Sequence, residues 1–415
     1  MQSDTIVLGA GMVGVSIALH LQKRGRRVAL VDRRGVAEET SYGNSGIIQR
    51  EANEPYMFPR GEWRKMLDYA LNRTSEANLH YSALPRILIP MLRFYMASTP
   101  ERTAATGRAI VALARHCVSE HEALAREASA MALLRPTGYL VVHRNPADLE
   151  KDIQKRDRLM REYGVPSEPL DAAGVRRLEP HLHGSPAGGL HITEPVSVAD
   201  PGGLGKAYGD LFVGLGGKLL RGEARTLKRT PTGGWQVETA EGPLTSNEVV
   251  VALGPWADVV LGPLGLRLPL FVKRGYHMHY RATGNATLGR PVIDAAYGYA
   301  LAPLMRGIRL TTGAEFALRD APPTPRQLAK VEPRARELFP LADRTEPEPW
   351  LGRRPCLPDM LPIIGPAVGH PGLWLAIGHQ HWGFTLGPVT GRLLAEMMTG
   401  QTPLTDPAPY RANRF

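Results

Sequence analysis

Gly9-Ala10-Gly11-Met12-Val13-Gly14 stands between an apolar run, Thr5-Ile6-Val7-Leu8, and a helical pattern from Val13 to Arg24. A second apolar run, Val28-Ala29-Leu30-Val31, ends on Asp32, 18 residues after Gly14. Each glycine has its own use. Gly9 allows a tight turn, Gly11 lets the backbone approach a pyrophosphate, and Gly14 lets the helix pack close to the sheet. The helix N-terminus turns unpaired N–H groups and partial positive charge toward the phosphates. Asp32 is placed to accept hydrogen bonds from a ribose diol. Near the other end of the chain, Leu373 to Ile377 runs into Gly378-His379. Gly383, Gly387 and Gly391 follow, with Thr385, Pro388 and Thr390 opening a helix. One nucleotide site does not need two such loops. A cofactor with its pyrophosphate on the first loop and a ring system against the last does, and FAD fits that demand better than NAD.

These residues need a βαβ unit at the start and a strand-to-helix turn at the end. Between them the chain leaves the simple βα alternation. A polar loop, Arg33 to Gly46, precedes Ile47-Ile48 and a Pro-bearing stretch, Glu54 to Pro59. Leu84 to Met96 is apolar but interrupted by Pro85, Arg86, Pro90 and Arg93, and is expected as a short core helix, with a surface-seeking amphipathic piece as the alternative. Pro100 to Ala130 reads as helical throughout, with Ile110, Leu113, Cys117 and Leu124 on one buried face. Gly138 to Val142 is a strand and Pro146 to Tyr163 an exposed charged helix. Gly217 to Ala224, Trp235 to Thr239, Glu248 to Ala252, Val272 to Tyr280 and Gly307 to Thr312 are further strands. Val389 to Met398 closes the chain as a helix ended by Gly400.

At 415 residues two domains are expected, and 43% hydrophobic residues fit a globular protein. The first strand starts near Thr5, so no secretory leader is expected, and no apolar run approaches the ~20 residues of a membrane span. Two cysteines, Cys117 and Cys356, make no disulfide framework and point to a reducing compartment, the cytoplasm. The net charge of +10 suits an anionic substrate, an anionic membrane surface or nucleic acid, or reflects an Arg-rich composition. No aromatic-interleaved basic stripe or nucleic-acid module stands out, so no nucleic-acid partner is expected.

With both ends in view, the chain resembles the D-amino-acid oxidase/dehydrogenase superfamily of flavoproteins, and within it the bacterial FAD-dependent D-amino-acid dehydrogenases. The markers are the N-terminal fingerprint, Thr40-Ser41-x-x-Asn44-x-Gly46-Ile47, Val249 to Trp256, Lys273-Arg274-Gly275-Tyr276, the Gly-x-Arg-Pro motif at Gly352 to Pro355, and Gly378-His379. The resemblance implies an α/β Rossmann-like FAD domain interleaved with an α+β, mixed-sheet substrate domain. The FAD domain would take residues 1–85, 190–265 and 345–415, and the substrate domain 86–189 and 266–344. The cofactor-binding set would be Gly9, Gly11, Met12, Val13, Gly14, Asp32, Arg33, Thr40, Ser41, Asn44, Gly46, Ile47, Ile48, Ala224, Gly254, Trp256, Gly378, Gly383, Phe384, Thr385 and Leu386. Arg354 would bind the substrate carboxylate, its planar fork suiting a bidentate contact; an internal ion pair with Asp359 is the competing role. Where one branch has a second arginine, this chain has His381, which would weaken the clamp and make it pH-dependent. Tyr276 would reach the pocket, with His277, Tyr297 and Tyr299 as weaker candidates. No cysteine or histidine sits where relatives attach flavin, so FAD is expected to be non-covalent, and no metal is expected.

The implied reaction is oxidation of D-amino acids to 2-oxo acids and ammonia by hydride transfer from Cα to flavin N5, with electrons passed to quinone or another acceptor. A quinone or electron-transfer partner would be met at the inner membrane face. Oxidation of secondary amines such as D-proline, D-hydroxyproline or sarcosine is the alternative within the class, and a tRNA-modifying flavoenzyme a distant one. A nicotinamide dehydrogenase is disfavoured by the C-terminal glycine-rich turn, and a non-catalytic flavin module would leave Arg354 without use. Side-chain preference, acceptor and oligomeric state stay open.

Overall fold

The structure is a computed structural model describing residues 1–184 and 186–415. Its first sheet has eight strands. Five run parallel, in the spatial order Lys218–Arg229, Val28–Asp32, Thr5–Leu8, Glu248–Val251, Leu373–Ile377. Ile363–Pro366 closes one edge antiparallel, and Trp235–Thr239 with Gly242–Ser246 extends the other. Successive side chains of the first strand enter separate cores, Val7 on one face and Ile6 and Leu8 on the other. Burial on both faces is why these strands read as unbroken apolar runs.

A second sheet of eleven strands is organised on the long strand Phe271–Ala282. Gly307–Thr311, Ala314–Phe316, Leu341–Arg344 and Trp350–Cys356 all pair with it antiparallel. The helix Arg326–Leu338 covers this sheet, packing Val331, Ala335 and Leu338 against Met278 and Tyr280. A small sheet of Ile47–Ile48, Val196–Val198 and Leu134–Arg135 links the two regions. A mixed α/β architecture with two large sheets is the fold class expected from the sequence.

The division of the chain differs from the expected boundaries. Ala77–Leu79 and Trp350–Cys356 belong to the second sheet. The stretch expected as one helix to Ala130 is two, Pro100–Ala114 and Cys117–Glu127. Both pack on the first sheet's side, because their apolar stripe of Ile110, Leu113, Cys117 and Leu124 joins the core that holds Leu393 and Leu394. The expectation of a core helix near Leu84 is also corrected. Leu84–Ala97 buries Ile87, Phe94 and Ala97, while Leu88, Ile89, Leu92 and Met96 are exposed. Its apolar content exceeds what one buried face can take.

Candidate active site

The carboxyl ends of the strands Thr5–Leu8, Val28–Asp32, Glu248–Val251 and Leu373–Ile377 open on a cavity of about 360 Å³ that runs across to the second sheet. Gly9 turns the chain at φ +100°, where a Cβ would stand 2.6 Å from the Ala252 carbonyl oxygen. At Gly14 a Cβ would lie 1.8 Å from the Gly9 carbonyl oxygen, so helix and turn meet with no room for a methyl group. At Gly11 it would meet only Ser41 Oγ, at 3.3 Å. The helix Met12–Gln22 starts here with no side-chain cap on Gly11; Ser41 Oγ accepts the Met12 N–H at 2.9 Å. The Val13 and Gly14 N–H groups, in the first turn, have no acceptor within the helix. Asp32 is held at the rim by three backbone donors, Ala10 N (2.9 Å), Arg34 N (2.7 Å) and Gly35 N (3.1 Å), with lone pairs left for a ribose hydroxyl. These residues fit the pyrophosphate and ribose of a dinucleotide. Gly14→Ala is expected to force the helix off the turn, at about 1–3 kcal/mol for an overpacked contact. Bound dinucleotide, read as the flavin-to-protein absorbance ratio, should fall roughly tenfold or more; a full complement would show that the helix shifts freely.

Beyond Asp32, the Arg33 guanidinium lies 4.6 Å over the Trp256 ring, with Arg353 on the same indole at 5.9 Å; Ala224 and Gly254 line the wall beside them. The loop carrying Thr40, Ser41 and Asn44 also lines the cavity. It is tied down by Thr40 Oγ1, which donates to the Arg353 carbonyl (2.9 Å), and by Asn44 Oδ1, which accepts Gly46 N–H (2.9 Å). Arg309 donates to the Tyr42 carbonyl (3.0 Å) and to that of Asn44; burial lowers its pKa to about 10, which leaves it charged at neutral pH. Gly383 and Phe384 reach the cavity from the C-terminal turn.

The remaining cofactor candidates support these loops instead of lining the cavity. Gly46 (φ +74°) fits against the Val198 carbonyl, Ile47 and Ile48 are buried strand residues, and Thr385 Oγ1 accepts Gln49 N–H at 3.2 Å. Gly378 (φ +78°) packs on Leu357, and Leu386 begins the last helix. Gly387 and Gly391 have a different use from the one expected. A Cβ on either would come within 2.6 Å of Met12 or Ser16, so these glycines let the helices Met12–Gln22 and Gly387–Met398 cross closely.

Register assembles the other end. In the pair Phe271–Ala282 and Trp350–Cys356, Lys273 stands opposite Arg354, Gly275 opposite Gly352, and His277 opposite Trp350. Opposed residues share a face, so all six face one way. Trp350 stacks on His277 at 4.7 Å, and Arg354 lies across Gly275, where a Cβ would be 2.5 Å from its Nη1. Arg354 donates to three carbonyl oxygens, those of Gly313 (3.1 Å), Arg274 (3.2 Å) and Thr312 (3.4 Å). Among the described residues no carboxylate comes within ion-pair distance of it. Asp359, the competing partner, is held by Arg414 at 2.6 Å. Three bonds to backbone leave two of five guanidinium N–H groups and the charge unanswered, and burial lowers the Arg354 pKa.

Tyr276 falls between Gly275 and His277 and so turns the other way, by the period of two along a strand. Its hydroxyl donates to Glu315 Oε2 (3.0 Å) and accepts Thr324 N–H (2.7 Å), inside a fully buried Arg274–Glu315 pair at 2.6 Å. Tyr276 is part of the cavity lining, as expected, but its hydroxyl is committed to Glu315 and Thr324. Tyr299 bonds Asp294 and the Arg334 carbonyl, and Tyr297 lies under Arg144; both stand away from the cavity. His277 does line it, with Nδ1 lacking a partner and burial pushing its pKa far down.

His381 lines the cavity with Nε2 buried and unpartnered. Burial, then the charges of Arg354 and Lys273, lower its pKa to about 3. It is therefore neutral in the ordinary pH range, which corrects the expectation of a titrating second cation.

Three groups near the cavity were given no role by the sequence. Tyr56, from the Pro-bearing stretch, packs at a tilt against His381 with ring centroids 5.1 Å apart. Glu51 is buried, accepting from Tyr139 (2.9 Å) and Gln49 (3.1 Å) while its second oxygen has no partner; burial raises its pKa. Lys273 Nζ meets Met360 Sδ (3.8 Å) and the rings of Phe94 (4.2 Å), Phe316 (5.6 Å) and Phe271 (5.8 Å), with no carboxylate paired to it among the described residues, and burial lowers its pKa. Lys273→Met is expected to stabilise the protein by about 1–3 kcal/mol, since a buried cation without a carboxylate is replaced by an apolar chain of similar volume. Thermal melts check this, and a fall in Tm would contradict it.

The comparisons agree with this geometry. Residues 4–397 match the family described as FAD dependent oxidoreductase, DAO. A D-amino-acid oxidase of Bradyrhizobium diazoefficiens is 30% identical, over 99% of this chain and 98% of its own length. A D-amino acid dehydrogenase of Phenylobacterium zucineum is 31% identical, over 98% and 96%. Among solved structures, glycine oxidase from Geobacillus kaustophilus superposes with a TM-score of 0.77 at 23% identity, over 100% and 99% of the two chains. Iminodiacetate oxidase from Chelativorans sp. BNC1 gives 0.72 at 23%, over 98% of each. With its nucleotide turn, its two sheets and nearly all its length accounted for, the chain belongs to the DAO family of FAD-dependent oxidoreductases.

Proposed function

We propose that this protein oxidises D-amino acids to 2-oxo acids and ammonia. The observation that carries the reading is Arg354, a buried guanidinium on the cavity face with no carboxylate partner among the described residues. A substrate carboxylate completes it. The two free N–H groups then fix the carboxylate, which sets the face of Cα turned toward the cofactor. His381 is neutral and offers a hydrogen bond to the same end of the substrate; at a pKa of about 3 it is too weak a base to hold the amine proton. The amine must enter uncharged, and the wall made by Trp350 stacked on His277 excludes water until the imino acid leaves and is hydrolysed.

Gly9 to Val13, Asp32 and the loop from Thr40 to Asn44 would hold FAD, which would supply an acceptor for the Cα hydride and a route for the electron pair to quinone or another acceptor. Non-covalent binding is supported by the cysteines. Cys356 is buried beside Phe94 and Phe271, Cys117 lies in the other core, and burial raises both thiol pKa values. Two unpaired thiols also suit a cytoplasmic site, with electrons delivered at the inner membrane face. Among the described residues no helix is long and apolar enough to cross a membrane.

The test is product identity. Turnover of D-amino acids with an artificial dye should release ammonia and 2-oxo acid in equal amounts. Turnover confined to sarcosine, D-proline or D-hydroxyproline would instead establish the secondary-amine alternative.

A further inference from the structure

Eight of the eighteen exposed large apolar side chains among the described residues lie between residues 63 and 96, less than a tenth of the chain. The helix Trp63–Ala70 exposes Trp63 and Leu67, and the helix Leu84–Ala97 exposes Leu88, Ile89, Leu92 and Met96. They form one platform. Tyr81 Oη donates to the Ala70 carbonyl (2.8 Å), and Arg60 stacks on Tyr95 at 4.5 Å.

At about 100° per residue, Leu88, Leu92, Met96 and Ile89 occupy one face of the second helix, opposite the buried Ile87 and Phe94. Arg86 and Arg93 come between, both exposed, at one edge of the apolar stripe. The helix contains no acidic residue, and residues 60–97 carry six Lys and Arg against three Asp and Glu. Two of those acids are engaged, Asp68 with Arg73 and Glu76 with the Tyr69 hydroxyl. A second copy of the chain docked about a two-fold axis would set these cations against themselves. An anionic lipid surface answers both features, taking the apolar face at the acyl boundary and the arginines at the phosphates.

We propose that the helices Trp63–Ala70 and Leu84–Ala97 dock the protein on an anionic bilayer. The inner side of this platform is the wall of the substrate end. Phe94 covers Lys273, and Phe58 packs against Phe94 at 5.9 Å. Docking would therefore hold the cavity next to a membrane-dissolved acceptor. That placement rests on the proposed function, whereas lipid binding itself does not.

The experiment is co-sedimentation of the flavoprotein with phosphatidylglycerol-containing and pure phosphatidylcholine vesicles, alongside dye-linked amino-acid turnover. Binding is expected to phosphatidylglycerol vesicles and to weaken with salt. Leu88→Ser/Leu92→Ser/Met96→Ser should weaken it roughly tenfold or more, and Arg86→Ser/Arg93→Ser should remove the preference for anionic vesicles, with turnover unchanged in both. Absent binding by the wild type, undiminished binding by the triple variant, or a dimer in solution that the triple variant splits would each overturn the proposal. Loss of dye turnover with every amino acid, vesicle binding intact, would instead count against the proposed reaction.

Discussion

Arg354→Ala is expected to lower kcat/KM for D-amino acids by about 10²–10³-fold, with bound FAD retained. Removing one partner of a buried, charge-assisted contact costs about 2–5 kcal/mol, and each 1.4 kcal/mol is a factor of ten. Arg354 is not bonded to any residue of the nucleotide turn, and its hydrogen bonds go to the carbonyls of Arg274, Thr312 and Gly313 on the second sheet's side. The loss should therefore fall on the substrate and not on cofactor content. Arg354→Lys keeps the charge and loses the planar fork, so it should recover only part of the rate. Steady-state kinetics with flavin quantified in parallel checks both. An Ala variant within about threefold of wild type would remove the carboxylate anchor from the account.

Mild acid should unfold the protein. Burial lowers the pKa of His20, His379 and His381 to about 3 and of His121 to about 4, from an ordinary 6.5. The unfolded chain takes up these protons below pH 6.5, while the folded chain does not until pH 4 or lower. Protonation thus favours the unfolded state, and stability falls as pH drops through this window. Each group contributes about 1.4 kcal/mol per pH unit, so four remove roughly 5 kcal/mol per unit, against a typical total of about 5–15 kcal/mol. Denaturant melts at successive pH values from 7.5 to 5 should show a steep loss of midpoint below 6.5. A flat profile would mean that these imidazoles are more hydrated than their burial implies.

What the sequence revealed was mostly local. The N-terminal strand, turn, helix and second strand lie within 32 residues, and Gly14 fits against Gly9, five residues back. Trp350–Cys356 went unseen as a strand. Gly352, Arg353, Arg354 and Pro355 have no β preference, and their extended form comes from pairing with Phe271–Ala282. The C-terminal glycines were visible, but not that Gly387 and Gly391 serve a helix crossing some 375 residues away in sequence. Tyr276 illustrates the same limit. Its motif was readable, whereas its orientation follows from the strand's alternation and from Glu315 beneath it. The decisive feature of Arg354, a charge without a counter-ion, required knowing that Asp359 is taken by Arg414. Leu84–Ala97 was ambiguous because composition alone does not tell which apolar face is covered.

The most direct test of the central claim is anaerobic mixing of the FAD-loaded protein with matched D- and L-amino acids, followed at the long-wavelength flavin absorbance. The account predicts rapid bleaching by D-isomers and little by L-isomers, with the D-response lost in Arg354→Ala. Bleaching by neither isomer in protein that carries its full FAD, or equal bleaching of wild type and Arg354→Ala, would contradict it.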